Sequence, residues 1–170
     1  MTKETDRGHV SNADATTDAP TSRRPPLAAY GLVGGAFGAA VIGVAVVGRP
    51  IERPSVLELA LLAGATFKAA RIVSQERLGS VVRAPFVEGE SASSDAEAAG
   101  EGLHKAVGEL VTCTRCVGTW AALGLVAARR VAPRAGGLLI TTLAAGAVND
   151  FLQAGFVALC NTANETNESR

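Results

Sequence analysis

Four apolar stretches separated by polar breaks dominate the pattern along this chain. Residues 27–48 carry no charge at all. A helix of about 22 residues rises about 33 Å, enough to cross a hydrocarbon layer of about 30 Å. Residues 55–74 open with Ser55 and Glu58 in capping-box spacing, and the run is apolar from Val56 to Phe67 apart from Glu58. Lys68 and Arg71 fall near its far end, where long basic side chains can snorkel to an interface. Residues 107–128 form the third run, and residues 135–160 the fourth, apolar except for Asn149, Asp150 and Gln153. The pattern predicts an all-α, polytopic membrane helical bundle with four transmembrane helices, or three plus one interfacial helix at 55–74.

The polar segments complete the organisation. Residues 1–26 read as a disordered polar tail, residues 75–106 as a cytoplasmic loop that is flexible in its acidic second half, and residues 161–170 as a polar, frayed tail. The membrane domain is thus residues 27–160. Counting Lys and Arg sets the expected orientation. Lys3, Arg7, Arg23, Arg24, Lys68, Arg71, Arg77, Arg83, Lys105 and Arg170 fall on one side, and Arg49, Arg53, Arg129, Arg130 and Arg134 on the other. The richer side is expected in the cytoplasm, with both termini, in a bacterial plasma membrane.

Composition sharpens this reading. Sixteen basic and sixteen acidic side chains cancel, so no basic footprint for nucleic acid exists. Hydrophobic residues reach 48% while aromatics are only 4%. Small residues suit close helix packing in lipid; an Ala-rich soluble bundle is the competing class. Gly31, Gly35, Ala39 and Gly43 recur every four residues, a face suited to a second copy or a membrane partner. Three cysteines do not make a secreted disulfide framework. Cys160, ending the fourth run, reads as a small hydrophobe.

Chemical capacity concentrates in the third run. On a helix, residues three or four apart share a face, so Glu109, Cys113, Cys116 and Trp120 form one stripe. The Cys-x-x-Cys pair has three readings: small polarisable packing residues, two soft ligands for zinc or another thiophilic metal, or a redox dithiol assisted by Arg115. Helical flanks on both sides count against the redox reading, and a tetrahedral zinc site lacks its other ligands. His104 reads as solvated, and Trp120 as packing. Measured along antiparallel helices, Asp150 and Gln153 reach a depth similar to the thiols. An ionised Asp in the membrane needs a partner, with Arg115 and Lys68 as candidates. No residue is expected to be catalytic, and no cofactor is implied.

The order Phe67-Lys68-x-x-Arg71, Glu76, Arg83-Ala-Pro-Phe86, a variable acidic loop, Ala106-Val-Gly-Glu-Leu-x-Thr-Cys-x-x-Cys-x-x-x-Trp120 and Asp150-Phe-Leu-Gln153 resembles the small bacterial membrane proteins of domain of unknown function 1360. That family includes a sporulation-associated member. The resemblance covers roughly residues 60–157. It implies a membrane location and supplies no mechanism. Relatives often carry Pro after the first Cys where this chain has Thr114, which leads one to expect the helix to continue. The expected function is therefore a non-enzymatic structural or accessory membrane protein. Its basic segment, including Lys68, Arg71 and Arg83, would meet headgroups or a partner. The alternative is a membrane thiol protein using Cys113 and Cys116, with Glu109, Arg115, Asp150 and Gln153 in support.

Overall fold

The computed structural model describes residues 27–47, 53–89 and 97–168, with residues 167 and 168 for backbone only. The amino tail, the turn around Arg49 and Pro50, and the acidic part of the long loop lie outside the described residues. Six α-helices and a two-strand hairpin are present among the described residues: α1 (Leu27–Val47), α2 (Val56–Ser74), α3 (Ser80–Arg83), β1 (Val87–Glu88), β2 (Glu97–Ala98), α4 (Gly102–Thr112), α5 (Thr114–Val131) and α6 (Pro133–Glu168).

Side-chain contacts fix the directions of the long helices. Ser74 at the end of α2 meets Thr114 at the start of α5, while Glu58 at the start of α2 meets Arg129 near the end of α5. Lys68 of α2 meets Asp150 of α6. Tyr30, at the start of α1, donates to Glu109, and Arg130 of α5 donates to the Val44 carbonyl at 2.8 Å near the end of α1. Thus α1 and α5 run one way, α2 and α6 the other. The central contacts are those of α2, α5 and α6 with one another, with α1 at the side against α4 and α5.

The core mixes alanine with leucine and isoleucine. Ala65, Leu125, Ile140 and Ala144 are buried together, with Leu61, Leu62 and Leu143 packed against them. A Cβ at Gly64 would sit 3.7 Å from Ala144, so the α2–α6 seam is close. Large apolar side chains also point outward, among them Leu27, Ile42, Val46, Leu57, Leu138, Phe151, Leu152 and Phe156 along α1, α2 and α6.

 The surface is thus apolar where a water-soluble bundle would be polar, and Leu159 on α6 is exposed in the same way.

Local chemistry explains where the helices start and stop. Ser55 and Glu58 form the expected reciprocal cap of α2. The chain then folds tightly rather than forming an open loop. A 3₁₀ turn at Arg77–Gly79, α3, a second 3₁₀ turn at Ala84–Phe86 and the hairpin follow in order. Gly79 is required at the first turn, because a Cβ there would fall onto the carbonyls of Ile72 and Val73. Arg83, expected at the headgroups, is instead fully buried. Its guanidinium donates to the Val73 carbonyl and, at 3.3 Å, to the Glu76 carbonyl, which satisfies acceptors that the end of α2 leaves open. The hairpin pairs Val87 with Ala98 and Glu88 with Glu97. It seats on α4 at Gly108, where a Cβ would lie 2.8 Å from that of Ala98.

Two further expectations change. The third apolar run is not one helix: α4 ends at Thr112, α5 begins at Thr114, and the two are bent by 86°. Cys113, with φ −88° and ψ 105°, is the elbow. Thr114 does not carry the helix through, because Cys113 adopts extended backbone and caps α5. The last helix also continues past Cys160 to Glu168. Neither Gly nor Pro stops it there, and Thr162 and Thr166 return their hydroxyls to carbonyls of the preceding turn.

Replacing Arg83 with Leu removes the donors to the Val73 and Glu76 carbonyls and should destabilise the fold by about 1–3 kcal/mol. Arg71, exposed over the Phe67 ring, should tolerate the same change at a cost under about 1 kcal/mol. Thermal unfolding of both variants in detergent checks this; equal shifts would contradict the capping role.

Candidate functional site: the α4–α5 elbow

The elbow lies at one end of the bundle, beside the end of α2. Ser74 and Thr114 share a hydrogen bond of 2.8 Å between hydroxyls, and the Gln75 amide donates to Thr114 at 3.3 Å. Ser74 also returns its hydroxyl to the Ala70 carbonyl at 2.8 Å. One helical turn further along, Gly118 of α5 faces Ala70, 3.9 Å from where its Cβ would be. These contacts press the first turn of α5 onto the last turn of α2 and hold the elbow in place.

Both thiols project from this elbow. Cys113 is the residue before α5, and its sulfur accepts the backbone N–H of Cys116 at 3.4 Å. The Cys116 thiol donates to Cys113 Sγ at 2.9 Å. Cys113 is half-buried and Cys116 exposed, as is Arg115 between them. Cys113 therefore holds the position of an N-cap, facing the positive end of the helix dipole. All three cysteines are free thiols, and Cys160 is exposed far along α6.

The other residues singled out in the sequence do not gather around the thiols. Glu109 lies on α4 and accepts from the Tyr30 hydroxyl of α1, so despite the bend it and Trp120 both reach α1. Trp120 packs edge-on against Phe37, with ring centroids 5.2 Å apart. His104 shares a hydrogen bond of 3.0 Å with the Ala99 carbonyl and lies 5.3 Å from the Phe86 ring. Gln153 is exposed on α6. Among the described residues, no group of three or more His, Cys, Asp or Glu side chains is placed to hold a metal.

Asp150 belongs to a second polar centre. Of its two candidate partners, Lys68 is the one in contact: its ammonium lies 3.0 Å from Asp150 and 2.7 Å from Glu76. Gly146 makes the room, since a Cβ there would lie 3.5 Å from Lys68 Cε. Phe67 stacks on Phe151 beside the ion pair, with centroids 5.2 Å apart. One ammonium thus joins α2, the turn after it and α6. Glu76, in the short Gln-Glu-Arg segment, is the partner that sequence reasoning did not assign. Its place eight residues after Lys68 carries no helical signal, because the chain turns between them.

The family described as Protein of unknown function (DUF1360) matches residues 61–156, more than half of the 170 residues. The chain belongs to that family. The DUF1360 segment takes in Lys68, Glu76, Arg83, both elbow cysteines and Asp150, and leaves α1 outside. No curated protein and no solved structure matches the chain.

Replacing Lys68 with Met leaves two carboxylates facing each other and should lower stability by roughly 2 kcal/mol. The double variant Lys68→Met/Asp150→Leu should recover part of that loss. Unfolding midpoints of both variants test the pair, and a double variant no better than the single one would contradict it.

Proposed function

We propose that this DUF1360 protein is a multi-pass membrane protein with a structural or accessory role, built on α1, α2, α5 and α6. One observation carries the reading: large apolar side chains lie exposed along α1, α2 and α6. Water would oppose that arrangement, and lipid favours it. Two helices, α1 and α6, are long and apolar enough to cross a membrane, and α4 with α5 form a bent pair that also qualifies. At about 1.5 Å per residue, α2 and α5 reach nearly the thickness of the hydrocarbon layer. They run with α1 and α6, which supports four crossings.

The antiparallel directions support both termini on one side, the side of the elbow. We take that side as cytoplasmic because it collects more Lys and Arg. A partner role rests on α1. A Cβ at Gly31, Gly35 or Gly43 would meet nothing within 4 Å, and Ala39 is exposed on the same face. This small-residue face is therefore free to pack against a second copy or another membrane helix.

Membranes from expressing cells should retain the protein after alkaline carbonate washing, with release only by detergent. Recovery as a folded monomer in the soluble fraction would overturn the reading. Gly35→Leu/Ala39→Leu should lower the oligomer fraction in detergent at least severalfold without altering helix content, as followed by cross-linking. An unchanged oligomer fraction would remove the α1 face from the interface.

A further inference from the structure

We propose that Cys113 and Cys116 form a redox-active dithiol that exchanges with the disulfide of a second molecule at the α4–α5 elbow. The two sulfurs are 2.9 Å apart, and a disulfide bond is about 2.05 Å. Closing the pair therefore requires less than about 1 Å of travel. Packing does not account for the placement. The α5 residues that pack inward at this level are Val117, which is buried, and Gly118 against Ala70, whereas Cys116 is exposed. Metal binding by this chain alone is not supported either. His104 and Glu109, the nearest donors in sequence, are engaged with Ala99 and Tyr30, and a closed zinc site needs four ligands.

The bend supplies what a straight helix would withhold. It gives Cys113 the cap position, where the Cys116 N–H points at its sulfur. It also places the pair at a polar end of the bundle, among Ser74, Gln75, Thr114 and Arg115. Cys113 is the attacking thiolate. It displaces one sulfur of the partner disulfide, so a mixed disulfide forms and one partner thiolate leaves. Cys116 then attacks the Cys113 sulfur of that mixed disulfide, and the second partner thiolate leaves. The chain ends with a Cys113–Cys116 disulfide and the partner with two thiols. Two electrons have passed to the partner, and the protons of Cys113 and Cys116 are taken up by its sulfurs through solvent. A dithiol reductant reverses the sequence. This inference does not need the bundle to cross a bilayer, so failure of the membrane reading would leave it standing.

The full chain carrying Cys160→Ser, in detergent, is equilibrated in glutathione buffers from reduced to oxidised. It is then quenched in acid and labelled with a maleimide that shifts the gel band once per free thiol. The expected result is passage from two labels to none in one step, within a single chain. Adding Cys116→Ser should accumulate a glutathione adduct on Cys113, at least tenfold more than Cys113→Ser leaves on Cys116. Ser retains a capping oxygen at position 113, so folding should persist and is checked by helix content. Thiols that stay labelled in oxidised glutathione would overturn the proposal. So would disulfides only between chains, adducts formed equally on either cysteine, or one tightly bound zinc or copper per chain that shields both thiols.

Discussion

The close seam between α2 and α6 is the contact on which the rest of the molecule depends. Gly64 lies against Ala144 and Ala147, and Gly146 gives space to the Lys68 chain. With no bulk between the helices, the backbones approach and dispersion contacts become dense. Lys68 can then lie along the seam and place its ammonium between Asp150 and Glu76. A larger residue at Gly146 would push the lysine away from both carboxylates. Many Leu, Val and Phe side chains of α1, α2 and α6 face outward around this seam.

At the end of the seam the chain must turn from α2 to α5 through more than thirty residues. Three devices keep that passage compact. Gly79 lets the first turn close on the α2 carbonyls, Arg83 plugs the helix end, and Gly108 lets the hairpin sit on α4. The Arg-Ala-Pro-Phe segment is therefore a structural plug. Its Phe86 carbonyl also lies against α4 at Gly108, the helix that bends by 86° into α5 at Cys113. Stability of the passage and exposure of the thiols are thus linked through one folded connector.

Several features were legible in the residues themselves. The uncharged run of α1, the Ser55–Glu58 cap, the packing role of Trp120 and the need of Asp150 for a cation all follow from local patterns. Others were not. Arg83 counted as a surface charge because sequence gives no sign that a helix end will fold back over it. The Glu109-to-Trp120 stripe assumed 3.6 residues per turn throughout, and extended backbone at Cys113 breaks that period. Cys is a weak cap by composition, so the elbow left no recognisable stop signal. The helix beyond Cys160 was missed because polar residues were read as a tail, although none of them ends a helix.

The sequence by itself determined the long apolar helix α1 and the capped start of α2, because hydropathy and capping act over a few neighbouring residues. It also supplied the family match over residues 61–156. Only the tertiary structure decided which charges meet, where Arg83 goes and that two thiols face each other at a bend. Those outcomes depend on contacts between segments up to about eighty residues apart, such as Lys68 with Asp150. No local pattern encodes such distances; they are set by how closely the small residues let the helices approach.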